Sequence, residues 1–154
     1  MIHALPPASV AGEFVRLQTR QHVVALTFDG GGNADGAKAV LALLRRERVT
    51  GTFFLTGHFV KTYPALSRAI GRRYPVANHI VDHLDLRRLS TPAATRQVTR
   101  AETMIKAATG RDPRPYFRFP YGARDARTLN IVHRLGYASV RSRNGKSGRH
   151  INEP

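Results

Sequence analysis

Five side chains in this 154-residue sequence are of types and spacings that could do chemistry together: Asp29, His79, His83, Arg118 and Tyr121. Asp29 closes an apolar run and precedes three glycines in VVALTFDGGGNADGAK, residues 23–38. A carboxylate there can serve as a general base on a rigid strand end, beside a glycine loop that lets a substrate approach the backbone closely. It can equally be a strand-end aspartate whose oxygens satisfy loop amides. His79 and His83 in NHIVDH stand four apart, a spacing that on a helical turn puts both imidazoles on one side, near enough to share a metal ion. A chain with seven histidines can also hold such a pair by chance. An oxygen ligand would complete a zinc-like site with an open position for water, and Asp82 and Asp85 are the adjacent candidates; Asp85 is equally placed to cap a following helix.

In YFRFPYGARD, residues 116–125, Arg118 could pair with Asp29 and hold it ionised and oriented. Pro120 has no amide hydrogen, so the N–H of Tyr121 is the next one able to point into a site. An ordinary FPYG turn with a structural arginine accounts for the same residues. A phosphate-cradling loop does not account for GGNADGAK, because the lysine position of GxxxxGK[ST] holds Ala37 and Lys38 is followed by Ala39.

These residues need elements to hold them, and the patterns alternate between strand and helix. His22–Phe28 reads as a strand, then Ala37, Val40, Leu41 and Leu44 recur on one helix face. GTFFL at 51–55 reads as a short buried strand, and Phe59, Tyr63, Leu66 and Ile70 follow at helical spacing, with Pro64 near the first turn. A weaker strand lies at 75–78. Ser90, Thr91 and Pro92 then open a long helix with Ala94, Val98, Ala101, Ile105 and Ala108 on its apolar face, stopped by Gly110. Strands at 114–118 and 137–141 flank a helix at about 124–135. About five βα steps predict an α/β fold with a parallel sheet, open or closed, helices outside, and function at the carboxyl ends of the strands. Asp29, His79, His83, Arg118 and Tyr121 all fall at such ends.

Composition narrows the classes. The chain is 42% hydrophobic, enough for one buried core, and no apolar run approaches the roughly 20 residues of a transmembrane helix. Without cysteine, any metal must be held by histidine and carboxylate. The opening MIHALPPASVAG does not read as a secretion signal, which leaves location open. A net charge of +15, carried mostly by arginine, suits an anionic partner such as nucleic acid, an anionic membrane or an acidic cell-wall polymer. The arginines are nevertheless spread in pairs along presumptive helix faces, as on a solvated surface, and no basic strand interleaved with aromatics or recognition-helix pattern supports a nucleic-acid binder.

Taken together, TFDGG at 27–31, GTFFLTG at 51–57, NHIVDHLDLRRLS at 78–90, FRFPYGA at 117–123 and LGYASV at 135–140 resemble the polysaccharide deacetylase family, the NodB-homology or carbohydrate esterase family 4 enzymes, in order and in spacing. The resemblance implies a (β/α) barrel-like fold, incomplete here. It also implies metal-assisted removal of acetyl groups from chitin-like, peptidoglycan or related polysaccharides. By motif, Asp29 would be the general base, His79 and His83 ligands to a divalent ion such as zinc, Tyr121 an amide donor to the oxyanion, and Arg118 the residue that tunes Asp29. The alternative is a sugar-binding remnant without turnover.

Three departures stand out. Gly30 occupies the place of a second aspartate that would complete the metal site, Ile80 that of a serine or threonine, and the chain ends SRNGKSGRHINEP, without a tryptophan strand or a Leu-x-x-His segment. That tail reads as a truncated or frame-shifted end in which His150 stands in the wrong context for the general acid, and an open barrel edge is expected. The divisions are an N-terminal extension at 1–20, the partial domain at 21–141 and a polar tail at 142–154.

Overall fold

A computed structural model describes residues 12–16, 20 and 22–141. Its elements, in chain order, are β1 (Glu13–Phe14), β2 (Leu26–Gly30), α1 (Ala37–Arg46), β3 (Gly51–Leu55), α2 (Gly57–Thr62), α3 (Pro64–Arg73), β4 (Val76–Asn78), α4 (Thr91–Thr109), β5 (Tyr116–Phe117), α5 (Ala126–Arg134) and β6 (Ala138–Val140). Single 3₁₀ turns at Leu86–Arg88 and Pro120–Gly122 follow β4 and β5.

The six strands form one sheet in the order β1-β6-β5-β4-β3-β2, parallel at every pairing. All five residues of β3 are buried, as expected of a parallel strand covered on both faces. Its side chains alternate: Phe53 and Leu55 join the apolar cluster under the helices, while Phe54 turns to the opposite face with Ala77 and Val140. A second cluster, including Ile80, Leu86, Val98, Phe117 and Tyr137, fills the space under α4 and α5. The sheet, with helices on its outer face, makes a half-barrel, α/β in class; its two outer strands, β1 and β2, are not paired with each other.

Helix boundaries follow local chemistry. Ser90 accepts a hydrogen bond from the Ala93 amide at the start of α4, and Gly110 ends that helix with a φ of 73°, which costs glycine little. Asp125 and Thr128 form a reciprocal capping box on α5. The spacing from Phe59 to Ile70 suits one helix, but Pro64 starts a second one. The residue before a proline is pushed from the α region, and Tyr63 sits at φ −124°, ψ 61° between α2 and α3.

The first long strand also differs from the expected 22–28. It begins at Leu26 because its ladder with β3 pairs Leu26 with Gly51 through Gly30 with Leu55, so the partner's length sets its own. Asp29 and Gly30 are therefore inside the strand. Glu13 and Phe14, in the stretch read as an extension, pair with Ser139 and Val140 as β1. The tail that contains His150 lies outside the described residues.

Candidate active site

Asp29 stands on β2 with its neighbours divided between two faces. Phe28 points outward and stacks on Phe53 at 5.1 Å between ring centroids, while Thr27 and Asp29 meet the same guanidinium. That guanidinium is Arg118, just past β5 and buried. Its Nη1 donates to Asp29 Oδ1 at 2.6 Å, Nη2 to Thr27 Oγ1 at 3.0 Å and Nε to the Val140 carbonyl at 3.3 Å. Its central carbon lies 4.0 Å from the centroid of the Phe54 ring. On a flat sheet β2 and β5 would be three strand spacings of about 4.8 Å apart. One arginine joins them because the sheet curls, and the arginine is a strut across the concave face.

His79 and His83 come from the segment that leaves β4, and neither stands on a helix; only residues 86–88 of that segment make a helical turn. His79 is buried, and its Nδ1 lies 2.8 Å from the Arg118 carbonyl. A carbonyl only accepts, so Nδ1 carries the hydrogen, and in the neutral imidazole the lone pair falls on Nε2. Nε2 is 4.0 Å from Asp29 Oδ2. The ring of His83 meets that of His79 edge-on at 4.8 Å, and the ring of Tyr121 meets His83 in the same way at 4.8 Å. Arg118 thus positions two groups at once, Asp29 through its side chain and His79 through its backbone.

The segment is tightly specified. Ile80 and His83 adopt φ values of 59° and 55°, the left-handed region that a β-branched residue rarely enters. Hydrogen bonds over-determine it. Asn78 Oδ1 accepts from the Ile80 amide, and its Nδ2 donates to the Val98 carbonyl and to Tyr137 Oη. Gln97 Oε1 accepts from the amides of Val81 and Asp82, and Gln97 Nε2 donates to Asp82 Oδ2 at 2.8 Å. The Gly57 and His58 amides hold the carbonyls of Ile80 and Val81.

Tyr121 lies in the 3₁₀ turn after β5 with a φ of 58° and an exposed ring. The turn's hydrogen bonds run from the Gly122 and Ala123 amides to the carbonyls of Phe119 and Pro120. An acid, two imidazoles, a buried guanidinium and an aromatic turn, drawn from the ends of three strands, are therefore gathered at one rim.

The sequence pattern of the polysaccharide deacetylase family matches residues 16–140. The chain belongs to this family. It is 32% identical over 133 residues to a chitooligosaccharide deacetylase of Azorhizobium caulinodans, covering 86% of this chain and 63% of that protein. It is 34% identical over 123 residues to the peptidoglycan-N-acetylmuramic acid deacetylase PdaA of Bacillus subtilis, covering 79% of this chain and 47% of that one. Among solved structures, a carbohydrate esterase family 4 pseudoenzyme of Bacillus anthracis superposes with a TM-score of 0.79 at 25% identity, over 86% of this chain and 47% of its own. A family 4 carbohydrate esterase from the same organism gives 0.72 at 31% identity, over 75% and 56%. The chain thus spans about half to two thirds of the length of these relatives.

The family implies a divalent metal, and the donor set fits one in part. Hydrogen-bonding one imidazole nitrogen to a carbonyl so that the other presents a lone pair is the usual arrangement of a metal-ligating histidine, and His79 has it. Catalytic zinc sites hold the ion through three protein ligands, however, and among the described residues no group of three or more His, Cys, Asp or Glu side chains is placed to do so. The two adjacent acids do not fill the gap. Asp82 is held by Gln97, and Asp85 caps the 3₁₀ turn while accepting from Arg87, whose guanidinium keeps its carboxyl below the usual range.

Several residues that build the rim give little sign of it in the sequence. Asn78 stands next to His79 in NHIVDH, and Thr27 stands inside TFDGG, so both lie within the motifs that carry the family resemblance. Gln97 had no local signal, because its role comes from α4 crossing behind the segment after β4.

Proposed function

We propose that this chain is a hydrolase that removes acetyl groups from N-acetylated sugars of chitin-like or peptidoglycan polymers. The observation that carries the reading is the Arg118 strut, which fixes the Asp29 carboxylate 4.0 Å from the lone-pair nitrogen of His79. An amide carbonyl resists water unless the water loses a proton and the carbonyl oxygen is stabilised as charge develops on it. Asp29 accepts that proton. Arg118 holds the orientation of the carboxylate, while the Tyr121 amide is a donor for the developing oxyanion. A new carbon–oxygen bond forms, the carbon–nitrogen bond breaks, and the proton taken by Asp29 is available to the leaving amine. His79 and His83 are the residues that would hold a divalent ion, which would supply Lewis-acid polarisation of the carbonyl.

The test is acetate release from N-acetylated chito-oligosaccharides by the purified chain with added zinc. Asp29→Asn is expected to lower the rate by roughly 10²–10⁴-fold, the range for loss of a general base. A variant as fast as the parent ends the assignment of Asp29. A second reading, a sugar-binding domain without turnover, is favoured by Gly30 and by the two-imidazole donor set. It predicts oligosaccharide binding with neither zinc uptake nor acetate release.

A further inference from the structure

Beside the candidate site lies a groove of about 720 Å³, within the usual range for small-molecule sites. It opens next to His83 and Tyr121 rather than over Asp29, so it suits the part of a substrate that extends away from the reacting acetyl group. Leu84 and Tyr121 expose apolar surface there, as a sugar ring requires for stacking. The charges in its wall are unequal. Asp85 is the one carboxylate among the lining residues, and Arg87 and Arg88 are two guanidiniums. Arg87 is committed to Asp85, with Nη2 to Oδ2 at 2.7 Å, whereas Arg88 Nε stays 3.8 Å away with its side chain 86% exposed. Both arginines sit on the 3₁₀ turn at Leu86–Arg88, which is braced from outside because Arg127 Nη2 donates to the carbonyls of Leu86 and Arg87. The positive charge is therefore presented from a fixed mount.

We infer that this groove receives a carboxylate-bearing sugar adjoining the acetylated one, with Arg88 as the residue that selects for it. The inference rests on the deacetylase reading and narrows its substrate to acidic saccharides. A partly solvated guanidinium contributes modestly to affinity but discriminates charge, so the preference is electrostatic and weakens with salt.

Binding to the full chain would be measured by titration calorimetry at low salt with three tetrasaccharides. One is neutral tetra-N-acetylchitotetraose, one alternates N-acetylglucosamine with N-acetylmuramic acid carrying free lactyl carboxylates, and one is the amidated form of the second. The acidic sugar is expected to bind about twofold to fivefold more tightly than either uncharged one, in line with one exposed ion pair. Arg88→Gln is expected to abolish the difference, while Arg72→Gln, at the far end of α3 and outside the groove lining, leaves it intact. Equal affinity for all three sugars, or a preference that survives Arg88→Gln, overturns the inference and leaves the deacetylase reading to the Asp29 test. Failure of all three to bind overturns both.

Discussion

The two sides of the candidate rim are built to different standards. His79 and His83 sit on a segment fixed by Asn78, Gln97 and the amides of Gly57 and His58, between β4 and a buried cluster under α4. Asp29 sits on an outer strand of the sheet, its side chain 42% exposed, and Arg118 holds it from across the concave face. A segment with redundant support can keep two residues at positive φ. A carboxylate with one strong partner is oriented only while that partner stays in place. The imidazole side is thus a product of packing, and the acid side a product of one residue.

Arg118→Leu tests that asymmetry most severely. It is expected to cut acetate release by about 10²-fold, as when a base loses its orienting partner. It should also lower stability by roughly 1–3 kcal/mol, less than for a fully buried pair because Asp29 is open to solvent. An unchanged rate, followed alongside thermal unfolding, would show that Asp29 needs no strut.

Gly30→Asp sharpens the other side. A Cβ at Gly30 would come within 2.8 Å of Cδ2 of the buried Leu55 and 3.5 Å of the Phe59 ring, so the Leu55 side chain must shift to admit it. Zinc affinity by equilibrium dialysis should then rise by about tenfold or more, since a carboxylate would join the two imidazoles. No change would mean that position 30 does not reach the pair.

Tyr137→Phe probes the support behind Asn78. Tyr137 Oη accepts from Asn78 Nδ2 and donates to Glu102 Oε2 at 2.9 Å, so its loss should cost about 1–2 kcal/mol in denaturant unfolding. Burial pushes the Tyr137 phenol well above its ordinary range. A raised folded pKa means that its contribution is complete below about pH 10 and is lost as the pH rises further. The parent chain should therefore lose stability in alkali more steeply than the Phe variant.

The smallest effect lies at Asp112, where the Arg114 hydrogen bond holds the carboxyl below its usual range. That contribution is present above about pH 4 and is lost on further acidification. Both side chains are substantially exposed, so Asp112→Asn should change stability by no more than about 0.5 kcal/mol, and less in high salt.

The sequence by itself determined the alternation of elements, the buried strand GTFFL, the cap at Ser90 and the stop at Gly110, because these depend on local periodicity and on backbone chemistry within a few residues. It also placed His79 and Arg118 directly after strands, while Asp29 proved to lie inside β2. Only the tertiary structure decided where β2 begins, since its length comes from pairing with β3, and only it divided the helical spacing from Phe59 to Ile70 between two helices at Pro64 and recruited Glu13 and Phe14 beside β6. Asp82 and Asp85 look interchangeable with any metal-binding acid in the sequence. Asp85 caps the turn at Leu86–Arg88, a local role its place in the sequence already offered, whereas Asp82 is committed by Gln97 on α4, a contact made by packing that no local pattern records.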